Sequence, residues 1–465
     1  MSFDKRWDKL LTRQRFRPVA STAPTDHRDP FENDYSRLIP SPFIRRLQDK
    51  TQVFPLEKSD FIRTRLTHSL EVSSIARSIG KSVESELIKR GELNLEYAGY
   101  IPSLLLTTGL IHDLGNPPFG HFGETAIKDF FTSHFRENPE TAKRFTDRER
   151  ADFENFDGNV QALRILRKLH FLLDEYSYNL TFPSLSTIIK YPRTSLEGNK
   201  GKAKKHICEK KFGYFVTEED DFNRINAALE LNSNRHPVTY LLEAADDIAY
   251  SAADIEDGVK LGILNFETIQ TIFESCLGRD EPGYVYLLDK LSKDHKELKD
   301  IGLDRLDITI QRFRIASQSM MIVAVVDEFL NNYESFMDGT YPEEILDRCK
   351  HAPIRQAYKK LLELVIKNKK IIHAELAGYQ VLTGLLEEFI PACLEEDFGK
   401  EGGNNKPNRL YSIISSNYRH IYENHNPYRK INPLYSKYQL VVDMLSGMTD
   451  HYALTLYQNI KGIEI

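Results

Sequence analysis

The chain has 465 residues, 41% of them hydrophobic and 28% charged, a composition typical of a globular protein with a large core. Its net charge of -6 argues against chain-wide affinity for polyanions, so phosphate or nucleic-acid binding requires a local basic patch. The four cysteines form no CxxC pair, which argues against a disulfide scaffold and a thiolate zinc site. The charged N-terminus argues against a signal peptide, and the lack of an apolar run of about 18 residues argues against a membrane span. We therefore expect a cytoplasmic protein without a membrane partner.

The N-terminal third alternates helical patterns with proline-rich breaks. Residues 1–40 are polar and interrupted by four prolines, which predicts a loosely ordered arm. A helical pattern covers 41–55, where a proline ends it, and a longer one covers about 67–90 with apolar residues at helical spacing. Further helices are expected from Pro102, a favourable first-turn residue, and over about 159–169.

The middle of the chain departs from this helical pattern. Residues 180–217 are rich in glycine and lysine at their centre, which predicts a loop, and flanks such as FGYFV predict a short β-hairpin. Helical patterns resume over about 237–259 and continue to a polar loop at 399–408 and a final helix from about Tyr438. We therefore predict an all-α fold with a minor β-hairpin.

Three helical stretches combine imidazole and carboxylate side chains. His68 lies near a helix start, and the pair His112-Asp113 ends an apolar helix. Asp246 and Asp247 lie in the Ala-rich stretch EAADDIAY. Each alone has an ordinary explanation: His68 as a core histidine, His112-Asp113 as a common dipeptide, and the two aspartates as a solvated acidic face. An Ala-rich helix should be buried, however, and buried acids need a partner or a metal, so together the stretches predict a metal site.

These residues lie in longer strings that resemble one family. His68, His112-Asp113 and Asp246 are similar to the ligands of the HD-domain metal-dependent phosphohydrolases. Five strings narrow the resemblance to the deoxyguanosine triphosphate triphosphohydrolases: KTQVFPLE at 50–57, RTRLTHSLEV at 63–72, HDLGNPPFGHFGE at 112–124, EAADDIAYSAADIEDG at 243–258 and SGMTDHYAL at 446–454. The resemblance spans about residues 35–460.

The resemblance implies both an activity and a division of the chain. The activity is hydrolysis of a deoxynucleoside triphosphate, most of all dGTP, at the α-phosphate, to give deoxynucleoside and inorganic triphosphate. The chain would divide into an N-terminal arm, an HD-domain core, and a helical C-terminal region that completes the pocket and forms homo-oligomer contacts: 1–40, 41–270 and 271–465.

The resemblance also implies a ligand set for a divalent ion, with Mg or Mn favoured and Ni, Fe or Zn as alternatives. The implied ligands are His68, His112, Asp113 and one aspartate of the 246–247 pair. Asp246 is favoured because the family spacing places Tyr and Asp at +4 and +8, which Tyr250 and Asp254 supply on one helical face. Asp247 points about 100° away and is expected to be structural.

The family's catalytic histidine matches His121, with Glu124 beside it. Gly115-Asn116-Pro117-Pro118 ends the apolar helix, and its prolines stiffen a turn that would return His121 and Glu124 to the metal. His121 would protonate the leaving 5′ oxygen or steer the attacking water, while Glu124 sets its tautomer and raises its pKa. Outside this motif, a loop histidine bound to the backbone would be the simpler interpretation.

The family's phosphate-binding positions match Arg65, Lys190 and Lys211. Between residues 190 and 211 the chain concentrates eight cations, of which those at 200–205 are more simply explained as a solvated loop. Arginine and lysine at the phosphates would orient the α-phosphorus and offset developing charge.

The family's sugar-binding positions match Gln52, Tyr250 and Asp254. Gln52 would contact the sugar, Tyr250 would stack under the deoxyribose and exclude a 2′-hydroxyl, and Asp254 would bind the 3′-hydroxyl. Tyr379 would close the pocket from the C-terminal half, although a core tyrosine is an equal alternative.

Two other functions stay open at this point. One is an HD phosphohydrolase for another phosphoester, such as a 5′-nucleotidase or a cyclic-nucleotide phosphodiesterase. The other is a nucleotide-sensing or nucleic-acid-binding regulator with an inactive site, which would bind single-stranded nucleic acid at the basic 190–211 segment.

Overall fold

The computed structural model describes residues 4–17, 27–56, 62–170, 174–199, 206–300, 305–400, 402–424 and 432–463. Within these ranges the regular structure is helical, apart from two isolated β-bridges that join Arg15 to Thr181 and Thr51 to Thr64. The all-α prediction is therefore confirmed. None of the described helices is long and apolar enough to cross a lipid bilayer.

The helices follow one another closely along the chain. The first twelve are α1 (Arg6–Leu10), α2 (Pro30–Leu38), α3 (Pro42–Arg46), α4 (Arg65–Arg90), α5 (Tyr100–Ile111), α6 (Gly120–Glu137), α7 (Pro139–Ala142), α8 (Asp147–Glu154), α9 (Gly158–Arg164), α10 (Phe182–Thr187), α11 (Glu219–Ala228) and α12 (Pro237–Lys260). The others are α13 (Phe266–Leu277), α14 (Pro282–Asp300), α15 (Leu306–Asn331), α16 (Tyr333–Met337), α17 (Ile345–Arg348), α18 (Ala352–Ile366), α19 (Lys369–Ala392), α20 (Lys406–Ile413), α21 (Ser416–Asn424), α22 (Pro433–Ser446) and α23 (Asp450–Lys461).

Helices α4, α5 and α12 form the framework of the molecule. Thr64 caps the start of α4 in a reciprocal bond with Thr67, and a left-handed Gly91 ends it. Glycine allows α4 and α5 to approach closely, because a Cβ on Gly109 would lie 2.6 Å from the Cα of Ser73. Helix α12 packs against both α4 and α5. The three helices that carry the predicted metal ligands are therefore in mutual contact.

The predicted β-hairpin is wrong for the described part of the 180–217 segment. Residues 206–218 form two short 3-10 turns joined by irregular backbone, and this part of the described chain contains no strand. The side chains of Phe212, Tyr214 and Phe215 are buried in the helical core. Their apolar pattern reflects burial, which periodicity alone does not distinguish from strand formation. Residues 200–205, with Lys200, Lys202, Lys204 and Lys205, lie outside the described residues.

The prediction of a loosely ordered arm over 1–40 is wrong where the structure describes it. Helices α1 and α2 lie in this segment, with Trp7 and Phe31 fully buried. The Trp7 indole donates a hydrogen bond to the Tyr333 hydroxyl at 2.9 Å. Residues 18–26 of the arm lie outside the described ranges. The division of the chain at residues 40 and 270 stays a prediction.

Two predicted helices end earlier or break where the chain makes contacts near the site. The helix expected over 41–55 stops at Asp49, after α3 and one 3-10 turn, and Thr51 bridges to Thr64 instead. The expected final helix from Tyr438 is two helices, α22 and α23, separated by a turn at 447–449. A Cβ on Gly447 would lie 2.3 Å from the Tyr418 hydroxyl, so a larger residue there would displace that ring.

Candidate active site

Three side chains from three helices converge on one buried point. His68 lies in the first turn of α4, His112 directly follows α5, and Asp246 lies in the middle of α12. Oδ1 of Asp246 is 3.2 Å from Nε2 of His68 and 3.4 Å from Nε2 of His112. One ligand atom from each residue lies within 4.8 Å of the others. We call these three residues the ligand cluster.

Asp113 borders the ligand cluster. Its Oδ1 is 3.5 Å from Nε2 of His112, and its Oδ2 is 4.0 Å from Nε2 of His68. Arg65 donates to Oδ2 at 2.6 Å, and the amide of Asn116 donates to Oδ1 at 2.6 Å. Burial alone would raise the pKa of Asp113, but Arg65 and the two histidines hold it well below its usual range. Three of the four predicted ligands therefore meet, with the fourth as an ionised neighbour.

The donor set fits a divalent cation. Nδ1 of His112 is 2.8 Å from the Gly109 carbonyl, which favours the tautomer with a free lone pair on Nε2. Nε2 of His112 is buried and makes no hydrogen bond within the described part of the chain. Burial would raise the pKa of Asp246, but Lys190 and His112 keep it well below its usual range, so the carboxylate is ionised. A buried imidazole nitrogen that faces a half-buried carboxylate without a hydrogen bond is the arrangement that a divalent ion satisfies.

Asp247 lies away from the ligand cluster, as its helical position predicts. It forms an ion pair with Arg355, which also pairs with Glu344. Burial raises the pKa of Asp247 to about 7, against the opposing effect of Arg355. Only Asp246 of the two aspartates contacts the histidines.

Removing the Arg355 guanidinium is expected to destabilise the fold. Arg355→Met leaves Asp247 buried without its cation, while Glu344 keeps its second partner, Lys210, so the free energy of unfolding should fall by about 3–5 kcal/mol. Urea denaturation measures the change. Arg348→Met is the matched control, because Arg348 pairs with Glu343 at the surface and should cost less than about 1 kcal/mol. Equal losses for both variants would show that the buried ion pairs of Arg355 do not stabilise the fold.

His121 and Glu124 form a second pair at the start of α6. Nδ1 of His121 is 3.4 Å from Oε2 of Glu124, whose Oε1 accepts a hydrogen bond from the Gly158 amide at 2.8 Å. Glu124 is buried, whereas the His121 side chain is 87% exposed. The hydrogen bond to Glu124 raises the pKa of His121. Burial would raise the pKa of Glu124, but His121 and Lys211 lower it to about 2. The His121 imidazole is therefore open to solvent on one side and hydrogen-bonded to a buried carboxylate on the other.

The turn before His121 runs beside Arg65, which bonds to Asp113. Phe119 has a left-handed backbone, with φ of 62°, directly before α6 begins at Gly120. A Cβ on Gly120 would lie 3.3 Å from a guanidinium nitrogen of Arg65. The start of α6 and Asp113 therefore both lie beside Arg65.

Each of the two predicted phosphate-binding lysines forms an ion pair with an aspartate. Nζ of Lys190 is 3.1 Å from Oδ2 of Asp246, and Lys211 pairs with Asp157. Burial would lower the pKa of each ammonium, but Asp246 and Asp157 respectively raise it, so both lysines stay charged. Lys210 instead pairs with Glu344, at the Arg355 network.

The predicted sugar-binding residues lie along α12 and at the edge of the site. Tyr250 and Asp254 follow Asp246 at successive helical turns, and burial raises the pKa of both side chains. Oε1 of Gln52 is buried and accepts no hydrogen bond from the residues that the structure describes. Tyr379 lies on α19, where its ring is 5.7 Å from that of Phe122 and its hydroxyl donates to Asp129 at 3.2 Å.

Sequence reasoning missed two acids and an arginine that support these residues. Asp157 forms an ion pair with Lys211. In the sequence it is an acid directly before the first residue of a helix, which is the ordinary pattern of an N-cap and gives no sign of a second role. Asp450 and Arg355 lie far along the chain from the residues they contact. Asp450 lies in the quoted string SGMTDHYAL, which is the signal that could have pointed to it.

Comparison with known proteins agrees with this geometry. The model of the HD domain family matches residues 65–204. A deoxyguanosinetriphosphate triphosphohydrolase-like protein of Listeria monocytogenes is 41% identical over 470 residues, which cover 98% of this chain and 100% of the relative. A deoxyguanosinetriphosphate triphosphohydrolase of Cronobacter sakazakii is 32% identical, over 93% of this chain and 94% of the relative. The chain therefore belongs to the deoxyguanosinetriphosphate triphosphohydrolase family of HD-domain proteins.

Proposed function

We propose that the protein is a divalent-metal-dependent hydrolase that cleaves dGTP at the α-phosphate, releasing deoxyguanosine and inorganic triphosphate. The observation that carries the proposal is the ligand cluster of His68, His112 and Asp246 beside a separate His121–Glu124 pair on a stiff turn. The choice of dGTP rests on the names of the relatives, one of which is the deoxyguanosinetriphosphate triphosphohydrolase of Cronobacter sakazakii.

The ligand cluster would hold the divalent ion, with Asp113 as the fourth ligand. We favour Mg or Mn, with Ni, Fe or Zn as alternatives that the same donors accept. When bound, such an ion supplies positive charge that polarises a phosphoryl oxygen and lowers the pKa of a water molecule.

Three cations would orient the triphosphate. Lys190 and Lys211 are half-buried ammonium groups, and Arg65 is a buried guanidinium at Asp113. Cations that are partly shielded from water act on a phosphate with less screening than in bulk water, so they would fix the α-phosphorus and offset developing charge.

His121 would protonate the leaving group. Water would attack the α-phosphorus and lose one proton to solvent while the bond to the 5′ oxygen breaks, and that oxygen would take the bond's electron pair and a proton from His121. The Glu124 carboxylate favours the protonated imidazole, which supports this role.

Residues of α12 and Gln52 would select a deoxyribose. Tyr250 would stack under the sugar and leave no room for a 2′-hydroxyl. The raised pKa of Asp254 favours its protonated form, and Gln52 offers a free acceptor oxygen, so the two would bind the 3′-hydroxyl. Tyr379 would border the pocket from α19.

Product analysis tests the proposed function. The protein is incubated with each of the four deoxynucleoside triphosphates, singly and mixed, with Mg or Mn, and with GTP as the control for sugar selectivity. We expect deoxynucleoside and inorganic triphosphate, most rapidly from dGTP, and little turnover of GTP. Release of phosphate, pyrophosphate or nucleoside monophosphate would instead support another HD phosphohydrolase.

Two partners other than the substrate are proposed, a second copy of this chain and a single-stranded nucleic acid. Helices α18 and α19 expose apolar side chains, among them Leu364, Ile372 and Leu376, which favours a homo-oligomer through the C-terminal region. Light scattering of the purified protein decides this, and a monomer at micromolar concentration would contradict it. Single-stranded nucleic acid at the basic 190–211 segment stays a prediction that a binding assay with an oligonucleotide tests.

A further inference from the structure

The turn between α22 and α23 contacts the site although the proposed function does not use it. We define the C-terminal turn as residues 446–450, part of the string SGMTDHYAL. The carbonyl of Ser446 accepts a hydrogen bond from Nζ of Lys50 at 2.7 Å. The same ammonium donates to the carbonyl of Asn116 at 2.6 Å. Lys50 therefore joins the C-terminal turn to Asn116, the first residue of the Asn-Pro-Pro-Phe turn at 116–119.

Asp450 joins the C-terminal turn to the last residue of that Asn-Pro-Pro-Phe turn. The side chain is only 4% exposed, and its Oδ1 accepts a hydrogen bond from the amide of Phe119 at 3.0 Å. Its Oδ2 accepts from the amide of Thr51 at 3.1 Å and from the Thr51 hydroxyl. A single carboxylate thus binds two segments that are distant in sequence.

The first of these segments carries the His121–Glu124 pair. Phe119 has a left-handed backbone two residues before His121, a conformation that a non-glycine residue adopts only when its surroundings hold it. Its side chain packs so closely on α19 that a Cβ on Gly378 would overlap the ring. The bond from the Phe119 amide to Asp450 fixes the backbone at this point, which sets where α6 starts and where His121 stands.

The second segment carries Gln52. Thr51 directly precedes it, and both the amide and the hydroxyl of Thr51 are bound by Asp450. Gln52 has a buried acceptor oxygen without a partner, so its placement depends on the backbone that Thr51 anchors.

We propose that Asp450 is a positioning residue that sets the distance between His121 and Gln52, and thus places the proton donor relative to the sugar whose 5′ oxygen it protonates. This inference rests on the proposed function, since it assigns those two residues to one substrate. Small displacements of a group that acts on a reacting atom have large effects on rate, about 100-fold for 1 Å.

The Asp450→Asn variant tests the proposal with the full-length protein. The amide keeps the shape of the carboxylate but has one acceptor oxygen, so it cannot accept from both Phe119 and Thr51. We expect kcat for dGTP to fall by about 10- to 100-fold and KM to rise by about 3-fold. Binding of Mn²⁺ without nucleotide should be unchanged, because the contacts of Asp450 are to Thr51 and Phe119. His451→Ala, at the exposed neighbouring residue, is the control and should match the wild type.

A double-mutant cycle separates positioning from general support of the fold. In a His121→Ala background, Asp450→Asn should lower kcat by less than about 3-fold, because the group that it positions is already missing. An equal loss of kcat in both backgrounds, or a loss of Mn²⁺ binding, would overturn the proposal in favour of a merely structural role.

A milder variant keeps the test valid if Asp450→Asn folds poorly. Thr51→Val removes one hydroxyl donor on the Gln52 side and leaves the Phe119 bond intact. We expect KM to rise by about 3-fold with kcat within about 2-fold of the wild type. Wild-type KM in Thr51→Val would contradict the proposal, whereas a wild-type protein that releases no triphosphate from dGTP would instead refute the proposed function.

Discussion

Replacing His112 with alanine is expected to lower kcat for dGTP hydrolysis by at least about 1,000-fold. His112 supplies a buried nitrogen without a hydrogen-bond partner to the ligand cluster, with its other nitrogen at the Gly109 carbonyl. Loss of a metal that stabilises developing charge is worth several kcal/mol, and about 4 kcal/mol corresponds to this factor. The variant should also bind Mn²⁺ more weakly, as measured by calorimetric titration.

A surface histidine provides the control for His112→Ala. His373 lies exposed on α19, and His373→Ala should leave turnover and Mn²⁺ affinity unchanged. Wild-type turnover and wild-type Mn²⁺ affinity in His112→Ala would contradict the assignment of the ligand cluster. Loss of turnover with unchanged Mn²⁺ affinity would show that His112 acts in another way.

Removal of the His121 imidazole is expected to have the next largest effect. His121→Ala should lower kcat by about 100- to 10,000-fold, the range for loss of a general acid. The affinity for Mn²⁺ should stay near the wild-type value, because His121 pairs with Glu124 and lies outside the ligand cluster. Glu137→Gln, at the exposed end of the same helix α6, is the control. Unchanged kcat in His121→Ala would exclude the proposed proton transfer.

The pH dependence distinguishes an acid from a residue that steers water. Glu124 raises the pKa of His121, so the protonated imidazole persists to higher pH than it would alone. If His121 acts as the acid, kcat falls as the pH rises through this raised pKa. Glu124→Gln removes the carboxylate, lowers the pKa of His121 and should move that fall to lower pH. A fall that stays at the wild-type pH in Glu124→Gln would contradict the role of Glu124.

The helical framework was predictable because its signals are local. Apolar spacing predicted α4 and α12 over nearly their observed spans, and Pro102 placed the start of α5 within one turn. His68, His112 and Asp246 each lie in a recognisable string on one of these helices. The packing of three helices then brings these residues together. The family resemblance of the strings implies this proximity, whereas local periodicity gives no information about it.

The supporting contacts were not predictable, because each joins residues far apart in the chain. Arg355 reaches Asp247 from α18, and Asp450 reaches Phe119 from α23. An ion pair or a side-chain bond to a distant amide leaves no periodic trace in the sequence. The early end of the helix predicted over 41–55 has the same kind of cause, because Lys50 donates a hydrogen bond to the distant Asn116 carbonyl.

Hydrolysis of dGTP in ¹⁸O-labelled water tests the central claim most directly. Attack of water on the α-phosphorus, with departure of the 5′ oxygen, places one ¹⁸O atom in the inorganic triphosphate and none in the deoxyguanosine. Mass spectrometry of the two products from a single turnover reads the position of the label. We predict labelled triphosphate with unlabelled deoxyguanosine. Label in deoxyguanosine, in nucleoside monophosphate or in free phosphate would contradict cleavage at the α-phosphate as proposed here.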